Sequence, residues 1–215
     1  MFEESSSVKA NRENRNATSK EYEPFHHEEL EGDVLWGPSM PPERELKILG
    51  ESVAGKAVLE IACGAGQSAV HLAQMGARVT AVDFSKAQLD HARAFARSKK
   101  AAVRLLEVDA QDLSMLDDPS FDVAFSAYAL GFVEDIQSTF REVARVLRAG
   151  GVFAFSWMSP LYAITEERGL LVKRSYGHRR TRAVAARKHV LRRVPLSKIR
   201  VIPGTTIWRA RKPAA

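Results

Sequence analysis

The first 20 residues are almost entirely polar, with Ser, Asn and charged side chains in no apolar rhythm that a helix or strand would need. They read as a frayed or conditionally ordered arm. Residues 21–41 carry Tyr22, Phe25, His26, His27 and Trp36, then Gly37-Pro38 and Pro41-Pro42, which is loop chemistry with many rings. Pro41-Pro42 suits the start of a helix running to about Ser52, with Leu46 and Leu49 on one face.

From Gly55 the pattern becomes an alternation of strands and helices. Apolar runs over Ala57–Ala62, Arg78–Val82, Val103–Val108, Phe121–Ser126 and Val152–Trp157 predict five strands. Between them, Gly64–Met75 opens on glycines and stops at Gly76, and Ser85 is placed to cap a helix reaching about Lys100. Ile136–Leu147 repeats Phe140, Val143 and Leu147 at helical spacing and halts at Gly150-Gly151. Strands joined through helices must cross over, so the expected fold is α/β, a Rossmann-like doubly wound, mostly parallel sheet. Ligands of such sheets sit at the carboxyl ends of the strands, near the switch point.

Composition narrows the reading. A single cysteine, Cys63, excludes an intrachain disulfide and a Cys-rich zinc site. No apolar run approaches the roughly 20 residues that span a bilayer, and the N-terminal stretch lacks the apolar centre of a signal peptide. A soluble cytoplasmic protein is the expectation. The net charge of +6 hides a division: residues 168–215 hold 15 of the 32 Lys and Arg and no acid, which leaves 17 bases against 26 acids in the first 167. An acidic body is joined to a basic end, and partners must be considered separately for each.

The chemistry lies in VLEIACGAGQ, residues 58–67. Gly64 and Gly66 let the backbone turn sharply and come close to a ligand, beside the free N–H groups of the helix that follows. A G-x-G alone also serves as a mere tight turn. Three acids at strand ends add to it: Glu60 four residues before Gly64, Asp83 closing the second strand and Asp109 closing the third. A carboxylate at Asp83 is placed to take both hydroxyls of a ribose, and one at Asp109 to meet an exocyclic amine. A dinucleotide site, with Ala69 as the third small residue, fits the glycine spacing as well. Glu60 argues against it, because a carboxylate beside a pyrophosphate is repelled.

With EIACGAGQ (60–67), AVDFS (81–85), EVDAQDL (107–113), SFDVAFS (120–126) and LRAGGVFAFS (147–156), the chain resembles the class I S-adenosylmethionine-dependent methyltransferases, in the small-molecule, type 11-like group. The likeness covers about residues 55–157. It implies S-adenosylmethionine as cofactor and methyl transfer to an O, N or C atom of a small molecule. It implies that Ala62 (the first glycine position of the family), Gly64 and Gly66 pass under the methionine part, with Glu60 near its amino group. Asp83 would then hold the ribose, Phe84 would face the adenine, Asp109 and the Ala110 backbone would read its amine, and Ser126 and Ala127 would line the transfer side. Cys63 reads as a small loop residue rather than a nucleophile, since no base adjoins it. No motif marks a catalytic base; His26, His27 and Tyr22 are candidates from an N-terminal segment that folds over the cofactor in similar enzymes. Tyr22, Trp36, Tyr128 and Trp157 are candidate pocket walls, with core packing as the plainer reading of each.

The resemblance implies an N-terminal arm and aromatic lid over 1–41, an S-adenosylmethionine-binding domain over 42–160, and a basic segment over 161–215 with a final strand near 201–211. Between Tyr176 and Pro195 lie only 18 residues, seven of them Lys or Arg, where similar enzymes have a longer stretch with a helix, a strand and substrate-facing residues. The C-terminal strand pair is therefore expected to be incomplete. The basic segment reads as a solvated helix that merely shortens the fold, as a deletion or altered stretch that impairs turnover, or as a polyanion-binding one that would recruit RNA. The absence of aromatics in 177–194 disfavours the RNA reading, as does the absence of an Asn/Asp-Pro-Pro-Tyr/Phe run where the chain reads SAYALG (126–131). The expected partner is a small-molecule methyl acceptor, with nucleic acid the less favoured one; no metal is expected.

Overall fold

The structure, a computed structural model, describes residues 6–30, 32–37, 40–158, 165–166, 169–172 and 205–214, with residues 19–30 given as helix without their side chains. Six strands form the main sheet: β1 (Ala57–Ile61), β2 (Arg78–Asp83), β3 (Val103–Glu107), β4 (Phe121–Ser126), β5 (Leu147–Met158) and, after the short antiparallel pair β6 (Thr165–Glu166) and β7 (Gly169–Val172), β8 (Thr205–Arg211). Their order is β3-β2-β1-β4-β5-β8. The first five are parallel and β8 runs antiparallel to β5. The order reverses between β1 and β4, and there lies the switch point of this Rossmann-like sheet.

Helices cover both faces, so the central strands are buried on both sides. All five residues of β1 are buried, and successive ones serve opposite layers. Val58 joins Val34, Trp36, Leu72, Val123 and Phe125 on one face; Leu59 joins Val82, Leu113, Ala124 and Val146 on the other. That is the period-two alternation of a pleated strand read through a doubly covered sheet.

The crossovers are α3 (Gln67–Gln74), α4 (Lys86–Ser98) and α5 (Ile136–Val146). Ser85 caps α4 as its sequence suggests, accepting from the Gln88 amide. Asp135 caps α5, accepting from the Gln137 and Ser138 amides. The helix expected to stop at Gly150-Gly151 ends at Val146, and the chain passes directly into β5. Those glycines sit instead in a register shift between β4 and β5, with Gly150 at φ 76°.

Two N-terminal expectations are corrected. Residues 6–30 form one long helix, α1 (Ser6–Leu30), rather than a frayed arm and a ring-rich loop. Contacts with the body replace the missing apolar stripe: Val8 is buried, Asn11 donates to the Phe132 carbonyl, and Asn16 accepts from the Ser85 hydroxyl and the Ala87 amide. The helix after Pro42, α2 (Glu43–Leu46), is a single turn, because Lys47 adopts a left-handed conformation that ends it. The basic stretch between Tyr176 and Pro195 lies outside the described residues.

Candidate active site

At the carboxyl ends of β1, β2 and β4 the described residues enclose a cavity of about 700 Å³. Its floor is the turn leaving β1. Ala62, Gly64 and Gly66 are all left-handed, at φ 55°, 53° and 76°. The turn is tied to β2 by the Cys63 amide on the Val82 carbonyl and closed by the Gly66 amide on the Cys63 carbonyl. Glycine is required at 66 for a second reason: a Cβ there would lie 3.0 Å from the Ala92 Cβ, where α3 meets α4. Ala62 occupies the left-handed region with a side chain, at a cost of about 1–2 kcal/mol.

Asp83 organises this turn. One of its carboxylate oxygens accepts from the Gly64 amide and the other from the Ser85 amide, both at 2.8 Å. Each oxygen keeps a further lone pair for a ligand hydroxyl. Burial pushes the Asp83 carboxyl up, opposed by those amides and by Arg15. Glu60 lies deeper. Its Oε2 is fully buried in the cavity wall and has no partner among the described residues. Burial, with Asp83 nearby, lifts its carboxyl to about 8, against a lowering contribution from the Ala69 amide. At the end of β3, Asp109 is bridged by Gln111, whose amide side chain donates to both carboxylate oxygens at 3.1 Å.

The structure brings Glu60, Ala62, Gly64, Asp83, Phe84, Asp109, Ala110 and Tyr128 to one cavity, the three acids from the strand ends where the sequence puts them. Tyr128 is itself left-handed at φ 58°. Gly66 shapes the turn from behind the wall. Three expected lining residues lie elsewhere. Ser126 is fully buried within β4, and Ala127 forms the wall in its place. Trp36 is a core residue with no exposed surface; its indole N–H donates to the Glu43 carboxylate at 2.8 Å and its ring meets Phe125 edge-on. Trp157 stands behind the wall, packed on Tyr128 and Phe132. Gly131 must remain glycine there, since a Cβ would fall 2.0 Å from the Trp157 ring. Tyr22, His26 and His27 ride on α1, and their side chains are outside the described part. Cys63 is buried, and burial with Glu60 and Asp83 nearby pushes its thiol up, away from the thiolate that a nucleophile needs.

The lid expected over 1–41 was read from its aromatic residues, and the polar residues that roof the cavity were missed. Asn11, Asn14 and Arg15 of α1 reach the cavity, and Arg15 lies 4.6 Å from the Phe132 ring centroid. Their polarity, which suggested disorder, is the only signal they carry, and it is the same for a solvated helix face. Among the described walls the carboxyl groups are Glu60, Asp83, Asp109 and Glu134, against the guanidinium of Arg15. The cavity therefore favours a ligand carrying positive charge.

Residues 59–155 match the family model described as a methyltransferase domain. This segment is a class I S-adenosylmethionine-dependent methyltransferase domain. The match begins within β1 and ends within β5, so it spans the strands that build the cavity. The domain is similar to an uncharacterized methyltransferase of Bacillus subtilis, 34% identical over 55% of this chain and 48% of that protein. It is 33% identical to a ubiquinone biosynthesis O-methyltransferase of Alkalilimnicola ehrlichii, over 49% of this chain and 42% of the relative. Among solved structures, an S-adenosylmethionine-dependent methyltransferase from Mesorhizobium loti superposes with a TM-score of 0.50 at 32% identity, covering 56% of this chain and 55% of the other. The chain thus spans less than half the length of these two curated relatives.

Proposed function

We propose that the chain transfers the methyl group of S-adenosylmethionine to an O, N or C atom of a small molecule. The observation that carries this reading is the cavity itself: three strand-end carboxylates facing the left-handed turn of residues 62–66. The residues fit the group. A buried, unpartnered Glu60 oxygen matches an α-ammonium, and the spare lone pairs of Asp83 match two ribose hydroxyls. Phe84 offers a face to the adenine, while Asp109 and the Ala110 backbone suit its exocyclic amine.

The bound cofactor supplies a methyl group already activated on a sulfonium. What remains for the protein is alignment and exclusion of water. Ala127, Tyr128 and Phe132 wall the side where an acceptor would enter, and α1 roofs it through Asn11 and Arg15. None of the described walls there is a histidine or lysine, so a protonated acceptor would have to lose its proton to Glu134, to Tyr128 or to solvent. No described helix is long and apolar enough to cross a membrane. We assign the chain to the cytoplasm, in keeping with its single cysteine.

Titration calorimetry with S-adenosylmethionine and S-adenosylhomocysteine tests this reading. Saturable one-to-one binding is expected, weakened roughly tenfold or more by Asp83→Ala. Absence of binding, or an Asp83→Ala variant that binds as the parent does, refutes it.

A further inference from the structure

Just past the end of β4, Tyr128 stands at φ 58°, where a bulky residue is a genuine outlier. Such a conformation persists only where its surroundings fix it. Three contacts do so here. The Tyr128 amide donates at 3.0 Å to the hydroxyl of Ser156, which is fully buried in β5. The ring centroid lies 5.2 Å from that of Trp157, also in β5. On the N-terminal side the ring meets the backbone of Gly37, where a Cβ would fall 2.7 Å from Cδ2 and 2.9 Å from Cε2.

Gly37 belongs to a strap that is itself fixed. Along residues 34–37, Val34 and Trp36 have no exposed surface and join the core, while Leu35 and Gly37 line the cavity. The Glu43 carboxylate accepts from the Trp36 indole at 2.8 Å and from the Leu49 amide at 2.6 Å. The Asp33 carboxylate accepts from the Val34 amide at 2.7 Å and from the Arg44 guanidinium at 2.8 Å. The Met40 amide closes the turn on the Gly37 carbonyl at 3.2 Å. The wall against Tyr128 is therefore preformed. The Tyr128 hydroxyl, by contrast, makes no hydrogen bond among the described residues. The residues flanking it in the cavity wall are Leu35, Gly37, Met40, Ala127 and Ala129, none with a charge or a hydroxyl.

We propose that Tyr128 binds the methyl acceptor, its hydroxyl hydrogen-bonding the oxygen to be methylated, and that this oxygen belongs to an uncharged hydroxyl compound. This rests on the methyltransferase reading above. One polar group in an otherwise apolar wall fixes a single orientation of a ligand. A neutral tyrosine hydroxyl accepts from the acceptor O–H and so holds a lone pair of that oxygen in one direction. Overall the acceptor O–H bond gives way to an O–CH3 bond, the carbon–sulfur pair stays on sulfur, the proton passes to water, and Tyr128 is left unchanged. A charged acceptor is disfavoured at this wall. A carboxylate would join the four carboxyl groups of the cavity, with Arg15 the one cation among its described walls, and an ammonium would find no counter-ion among the residues flanking Tyr128.

The test is calorimetry of the full chain saturated with S-adenosylhomocysteine, with catechol as an uncharged hydroxyl probe and benzoate as a charged one. One saturable catechol site is expected, with benzoate weaker by roughly tenfold or more. Tyr128→Phe keeps the ring, its packing on Trp157 and its contact with Gly37, and removes only the hydroxyl. It should weaken catechol roughly tenfold and leave S-adenosylhomocysteine affinity and the melting temperature as in the parent. Catechol that binds variant and parent alike, benzoate that binds the parent as well as catechol does, or a loaded chain that takes no catechol overturns the proposal. So does a Tyr128→Phe variant that loses S-adenosylhomocysteine, which would place the hydroxyl on the cofactor. A parent chain that binds no S-adenosylhomocysteine overturns the methyltransferase reading itself, before any acceptor is added.

Discussion

The Glu60 carboxyl is the most perturbed acid in the cofactor cavity, and its perturbation has two measurable consequences. Its ordinary value is 4.5 and burial raises it to about 8 in the folded protein. Between these values the folded state holds a proton that the unfolded chain has lost. Stability contributed by this group is therefore full below about 4.5 and declines as pH rises towards about 8. Without ligand, the melting temperature should fall over this range, and Glu60→Gln should flatten the fall and melt several degrees higher near pH 9. An α-ammonium beside Glu60 would favour its ionised form, so cofactor binding at pH 7 should release a proton. Calorimetry in buffers of different ionisation enthalpy would show this, and Glu60→Gln would abolish it. The position of Glu60 at a strand end is legible in the sequence. Its protonation is not, because the desolvation depends on how completely β2, β4 and α3 close around it.

At the scale of elements, α4 and the first four parallel strands were legible within a residue or two, whereas α3 begins three residues later than its glycines suggest and β5 five residues earlier than its apolar run. α1 was not legible. Its sequence offers polar residues that an exposed helix and a disordered arm share, and its helicity is settled by contacts far along the chain. Asn16 is the clearest of these. Its side-chain oxygen accepts from the Ser85 hydroxyl at 2.7 Å and the Ala87 amide at 3.3 Å, joining α1 to the start of α4 beside Asp83. Ser85 meanwhile accepts from Gln88, so the cap and the roof share one hydroxyl. Asn16→Ala should leave the cap intact and loosen the roof by about 1 kcal/mol. The expected sign is faster amide hydrogen exchange along α1 with little change in α3 or α5. Equal protection in variant and parent would mean that Val8 and Asn11 suffice to hold the helix.

At the scale of the whole molecule, the question is whether the chain after Met158 is part of the cooperative fold. The sequence marks residues 168–215 as a place where charge and family pattern both change, yet its last strand rejoins the sheet. β8 pairs with β5 from Val152↔Arg211 to Met158↔Thr205, and its Trp208 stacks on Phe155 with ring centroids 4.9 Å apart. Ile207, 7% exposed, enters the same core as Trp36, Leu49 and Phe125. Lys212 then fastens the end, its Nζ donating to the Ala144 and Leu147 carbonyls at the close of α5. A strand this deeply joined cannot leave without exposing the core beneath α2. Ile207→Ala should then cost about 2–4 kcal/mol in global stability. Urea unfolding followed by both tryptophan fluorescence and circular dichroism would measure it, as a lower midpoint with an unchanged slope and coincident transitions. If β8 is instead a detachable edge, the two probes will separate, with the Trp208 signal lost first and the parallel sheet unfolding at the parent midpoint.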